Sequence, residues 1–229
     1  DANMVILTEQ AAADADIIKK MDKHLRSGKD ITITAGFLRA MKGKGIESIV
    51  DLEYTDRKAL VSGFMTGGQI VNVSKPILMQ QVMYKTNDSW EIVSGMDGGL
   101  GWPLLHRDAY SKGNVYLLVV PDNFADLYNL PVQVLNSIRQ NLTQKAVPVR
   151  MQGPANVSLF IYDNNTFIVE SFSDEDVDIT VLCQSEGLKD LLSGDEVSGS
   201  RVMSWGRSTS NERSFRVHLK PHSYRVFKF

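Results

Sequence analysis

The pattern of apolar residues changes kind near residue 147, and that change restricts the available folds more than any motif does. Upstream, Met4–Thr8 is a short apolar run suited to a buried strand. Ile17, Ile18, Met21 and Leu25 then recur at helical spacing, with Lys19, Lys20, Lys23 and Arg26 on the other faces. Asp14 or Asp16 can cap the start of that helix, and Gly28 stands where a helix ends. Ile31–Thr34 is β-branched throughout, and Ala35-Gly36 leads into a second short helix, Phe37–Met41. Strand, helix, strand, glycine turn, helix is the grammar of a parallel sheet with helices on its faces. Val50–Tyr54, Gln69–Val73 and Gln80–Tyr84 suit short strands and Asn114–Val120 a buried one, and Pro131 opens a helix with Val134, Leu135, Ile138 and Leu142 on one side. From Val149 on, short strand-like runs follow one another with turns between them, such as Asp163-Asn164-Asn165, and helical periodicity is almost absent. The expectation is two modules: an α/β domain over residues 1–146 and a small antiparallel β-sandwich over residues 147–229, with the boundary within Gln144–Pro154.

At 229 residues the chain is long enough for two such cores. No apolar run approaches the ~18–20 residues that span a bilayer, so no membrane span is expected. The formal charge is −2, from 25 basic and 27 acidic side chains without a block of either sign. That argues against nucleic acid and anionic membranes, which both need a concentrated basic face. A single cysteine, Cys183, excludes an intrachain disulfide and a cysteine-rich zinc site. The first residues contain no basic stretch followed by an apolar one, so no signal peptide is read there. The chain reads as a piece of something longer whose leader could have been removed, and a periplasmic or extracellular location is favoured over the cytoplasm.

Few residues suggest chemistry. Cys183 ends an apolar strand, far from the electropositive setting that activates a thiol. Neither Val61-Ser62-Gly63 nor Val197-Ser198-Gly199-Ser200 supplies a serine nucleophile elbow. His218 and His222 flank Pro221 in a strand-like stretch and read as structural rather than metal-binding. Gly95–Gly101 is dense in glycine but does not follow the dinucleotide pattern, so a tight turn is expected there. Asp97, Asp108 and Asp122 fall in loops near strand ends, where an α/β module gathers its ligands. His106-Arg107-Asp108 follows apolar Trp102–Leu105 and could mark a strand emerging at a cleft. The bland roles are a helix cap for Asp122 before Phe124, a turn for Asp97, and a solvated strand end at His106. Trp102 and Trp205 could each stack on a sugar ring, and Trp205, in a Gly/Ser-rich loop, is the better candidate for exposure. No cofactor and no metal site is indicated.

The run Gly187–Asp195 and the stretch Phe215–Phe227 resemble the terminal β-sandwich of many glycoside hydrolases. The resemblance implies a turn anchored to the core by Leu191 and Leu192, an edge broken at Pro221, and a Tyr224 that packs back inward. Ile6–Glu9, the helix ending at Gly28, Ile31–Gly36 and Val115–Asn123 are similar to the glutamine-amidotransferase-like domain that precedes that sandwich in family 42 β-galactosidases. This implies an amidotransferase- or flavodoxin-like sheet that can lack its opening strands. It also implies a role in subunit association, with the catalytic glutamates on an upstream barrel. The module has no cysteine, so glutaminase activity does not carry over, and 229 residues cannot hold a barrel of ~250 residues as well.

The expected role is therefore a non-catalytic accessory or assembly region of a bacterial carbohydrate-active protein, partnered by an upstream domain or another subunit. Two alternatives stay open. One is a hydrolase using Asp97, His106 and Asp122, and the other is a sandwich that binds carbohydrate.

Overall fold

The computed structural model describes residues 2–86, 89–204 and 207–229. The chain divides into two compact units, Asp1–Ala146 and Val147–Phe229.

The first unit opens with β1 (Met4–Leu7), α1 (Ile17–Arg26), β2 (Asp30–Thr34) and α2 (Ala35–Ala40). Helix α1 buries Ile17, Met21 and Leu25, one face at helical spacing, and leaves its lysines in water. Thr34 starts α2 as its cap, its side-chain oxygen accepting from the Phe37 amide at 3.3 Å. The long β3 (Leu52–Thr66) and β4 (Gln69–Tyr84) then form a hairpin closed at Gly67-Gly68. A second hairpin, β5 (Trp90–Asp97) and β6 (Leu100–Tyr110), is closed at Gly98-Gly99. All four turn glycines have positive φ, the conformation that two-residue hairpin turns demand. Strand β7 (Gly113–Leu118) and helix α3 (Val132–Thr143) complete the unit.

The seven strands lie in the order β1-β2-β7-β6-β5-β3-β4. Only β1, β2 and β7 run parallel, and the other four form two antiparallel hairpins, β3–β4 and β5–β6, that meet through β3 and β5. The expectation of an amidotransferase- or flavodoxin-like α/β domain over residues 1–146 is thus overturned, because the unit is predominantly β. The reason is local. A parallel neighbour needs a crossover of a dozen or more residues, whereas two-residue glycine turns force the chain straight back. Between Met41 and Pro131 the described backbone holds only two short 3-10 turns, Ile46–Ser48 and Phe124–Asn129, and no crossover helix. Three short strands were expected between Val50 and Tyr84; the outer two are the two ends of one hairpin. Pro76 is tolerated because β4 is an edge strand and bulges where Val73–Pro76 oppose Ser62.

The far half of the β3–β4 hairpin bends over the β5–β6 face. A Cβ at Gly95 would lie 2.6 Å from Met79 Sδ and 2.9 Å from Val61 Cγ1, so glycine makes that approach possible. Ile31, Ile33, Phe37, Val61, Phe64, Met79, Leu105 and Leu117 belong to the resulting core. Asp30, buried at the start of β2, accepts from the Asn114 amide at 2.8 Å and pairs with Lys145 at 2.9 Å.

The second unit is an antiparallel β-sandwich. One sheet contains β9 (Val157–Ile161), β10 (Thr166–Ser171), β12 (Gly187–Asp190), β13 (Glu196–Ser198) and β16 (Tyr224–Lys228). The other contains β8 (Val149–Gln152), β11 (Val177–Cys183), β14 (Ser200–Ser204) and β15 (Arg207–Leu219). Alternate residues of β10, β11 and β15 point inward, and Phe167, Val169, Val181, Phe215, Val217 and Phe227 fill the core. Asn165 supplies the positive φ of the β9–β10 turn. The turn after Asp190 departs from expectation: Leu191 and Leu192 are exposed and so is Tyr224, while Leu188 is the buried anchor. Asp190 holds the turn, accepting from the Leu192 amide at 2.8 Å, the Ser193 amide at 3.2 Å and Arg225 Nε at 2.7 Å. Among the described residues no helix is long and apolar enough to cross a membrane.

Candidate functional site

The glycine turn at Gly98-Gly99 sets the β5–β6 register, and the register sets the site. Counting back from that turn brings Glu91 opposite His106. Tyr84, at the end of β4, stacks on the His106 ring with centroids 5.6 Å apart and planes 15° apart. Met65, Thr66, Gly67, Gly68, Tyr84, Ser89, Glu91, Ile92, Ser94 and His106 enclose a cleft of about 480 Å³, within the size range of small-molecule sites.

His106 is 1% exposed. Its Nε2 lies 2.8 Å from Ser89 Oγ and 3.5 Å from Asp108 Oδ1. Nδ1 is sealed from solvent without a partner among the described residues. Behind the ring, Asp108 accepts from the Asp51 amide at 3.3 Å, and Asp51 in turn accepts from Thr86 Oγ1 at 3.0 Å. Glu91 accepts a short hydrogen bond from Ser94 Oγ.

The arrangement is not that of a hydrolytic triad. A base that relays a proton needs its nucleophile on one ring nitrogen and its orienting carboxylate on the other. Here Ser89 and Asp108 both approach Nε2. The cleft is lined by a carboxylate, a histidine and several hydroxyl groups.

The other acidic candidates lie elsewhere. Asp97 is at the hairpin end, opposite Leu100 and six residues along β5 from Glu91, about 20 Å at the rise of a strand. Asp122 follows β7, where its amide donates to the Leu78 carbonyl at 3.4 Å and its carboxylate pairs with Lys58. Leu78 is six residues along β4 from Tyr84, again about 20 Å. The structure therefore does not bring Asp97, His106 and Asp122 together. Asp122 does not cap the turn at Phe124 either; Asn123 does, accepting from the Ala125 amide at 3.2 Å. His106 is not a solvated strand end but a buried residue.

Trp102 is half-buried against the first core. Trp205 lies outside the described residues. Trp90, 57% exposed, has the Arg107 guanidinium 5.1 Å from its ring centroid. Cys183 is buried, and burial pushes its thiol up, against a smaller downward pull from the Ser185 amide. In the sandwich, Asp178, Thr180, Ser198, Ser200, Ser214 and Arg216 border a second concavity. Asp178 is already engaged there by Arg216 at 2.9 Å and His218 at 3.1 Å, which hold its carboxyl below the ordinary range. Among the described residues no group of three or more His, Cys, Asp or Glu side chains could hold a metal ion.

Glu91, Ser89, Ser94 and Tyr84 were not singled out from the sequence. The Glu91–His106 pairing could have been found by treating Gly98-Gly99 as a two-residue hairpin turn and counting back. Tyr84 could not, because its position depends on the bend of the β3–β4 hairpin.

Residues 148–229 match the family described as "Probable glycosyl hydrolase, C-terminal domain". Among solved structures, Gan42B, a GH42 beta-galactosidase from G. stearothermophilus, is similar over 99% of this chain and 32% of its own, at 10% identity and TM-score 0.53. A catalytic mutant of that enzyme gives 99%, 31%, 11% and 0.52. A beta-galactosidase from Bacillus circulans sp. alkalophilus gives 97%, 31%, 11% and 0.47. At such identities the likeness to Gan42B concerns fold alone, and this chain spans about a third of the length of those structures. No curated protein matches. The second unit is thus that of a glycosidase-related protein, and over residues 1–123, more than half its length, the chain belongs to the family described as "Uncharacterized protein SSO3021, second domain".

Proposed function

We propose that this chain is a non-catalytic accessory and assembly region of a carbohydrate-active, glycosidase-like protein. The observation that carries the reading is the extent of the likeness: essentially the whole chain lies on one third of a β-galactosidase chain, with its second unit matched as a glycosyl hydrolase C-terminal domain. The placement of the acidic candidates is compatible with it: Asp97 and Asp122 are each about 20 Å along a strand from the residues that surround His106, so neither joins that histidine in one site. The partner for such a region is an upstream domain of the same protein or another subunit. Carbohydrate contact through Trp102 has less support, because that ring is half-buried against the core.

The test is direct. The purified chain, offered aryl β-galactosides and a panel of other aryl glycosides, should release no aglycone above background. Turnover that disappears in Asp97→Asn or Asp122→Asn would overturn the reading in favour of a hydrolase.

A further inference from the structure

We propose that the cleft between Glu91 and His106 binds a small organic ammonium ligand. The walls are chemically one-sided. Glu91 presents a carboxylate whose one hydrogen bond in the site comes from Ser94, and it has no ion-pair partner among the described residues. His106 also lines the cleft, with an Nδ1 that is buried and has no partner among the described residues. No lysine or arginine lines the cleft, while Thr66, Ser89 and Ser94 carry hydroxyls that can turn to donate or accept.

An anion would meet the Glu91 charge with nothing to offset it. A neutral ligand would strip water from that carboxylate and leave it uncompensated, which is unfavourable for a half-buried charge. A protonated amine both neutralises Glu91 and supplies up to three donors to a set of acceptors. The Tyr84 ring, 46% exposed, offers a π surface that attracts the same charge. At the rim, Gly67 and Gly68 put no side chain into the space beside the cleft. This goes beyond the accessory role and stands or falls separately from it: glycoside turnover tests that reading, amine binding tests this one.

The experiment is a calorimetric and NMR titration of the whole chain with glucosamine, alongside glucose and N-acetylglucosamine, which share the ring but lack the charged amine. Glucosamine is expected to saturate and to move the amide signals of Ser89, Glu91 and His106. The two neutral sugars should bind more weakly by about tenfold or more, the factor that corresponds to ~1.4 kcal/mol. Glu91→Gln keeps an acceptor for Ser94 and removes the charge. It should weaken glucosamine by a similar factor while its melting temperature stays at the parent value. Equal binding of glucose, glucosamine binding unaffected by Glu91→Gln, or no saturable binding of glucosamine would each overturn the proposal. Should Glu91→Gln fold poorly, Ser94→Ala with the same three ligands keeps the charge test intact, because glucosamine must still be preferred over both neutral sugars.

Discussion

Burying a carboxylate in a β-turn is unfavourable unless donors converge on it, and at Asp190, 2% exposed, three do. Burial pushes this carboxyl up, and the Leu192 and Ser193 amides together with Arg225 outweigh it, so the group sits below the usual carboxylate range. A depressed folded value means the group stabilises the fold fully above the unfolded carboxyl value, about pH 4, and that this contribution is lost as pH falls towards the folded value. Asp190→Asn should therefore flatten the acid side of the stability profile of the second unit, measured by urea unfolding at a series of pH values. Asp190→Ala should destabilise by about 3 kcal/mol at neutral pH, because it leaves Arg225 and two turn amides without their acceptor. The sequence suggested the turn and misidentified what holds it. Leucines near a turn look like anchors, and only the observed contacts distinguish the buried Leu188 from the exposed Leu191 and Leu192. The same limit applied at Asp122, where a cap and an ion pair look alike in sequence and Asn123, one residue on, serves as the cap.

Local signals read well for elements whose burial follows one period. Helix α1, strand β2 and the sandwich strands β8, β9, β10, β11 and β16 show in the sequence, whereas β12, β13, β14 and the first half of β15 do not. The long β3–β4 hairpin did not read as one, because β3 and β4 are interrupted by bulges, so alternation breaks partway along each. The candidate cleft inherits that difficulty: its β5–β6 wall follows from a glycine turn, while its Tyr84 wall follows from a bend. Two substitutions probe these elements. Thr34→Ala removes the α2 cap and should cost about 1 kcal/mol, with loss of protection at the Phe37 amide seen by hydrogen exchange. Gly95→Ala forces a methyl group against Met79 and Val61, both fully buried. It should cost roughly 1–3 kcal/mol and broaden the Tyr84 and His106 ring signals as the hairpin is pushed away.

Each unit has a core of its own, the first built around residues such as Ile33, Phe64 and Leu117 and the second around Phe167, Phe215 and Phe227. Phe167→Ala should cost about 3–5 kcal/mol and strip amide protection from β8–β16 while β1–β7 stay protected. Protection lost across both sets of strands would show one cooperative body instead of two. Within the first unit β2 pairs in parallel with β1 on one side and β7 on the other, and the Asp30 carboxylate that begins β2 takes the Asn114 amide from 84 positions further on. During synthesis the opening strands thus leave the ribosome long before the strand that closes their sheet exists. They must wait, unpaired on that side, until the two intervening hairpins have emerged. Completion of this half waits on β7, and refolding is expected roughly in the millisecond-to-second range of chains dominated by distant pairings.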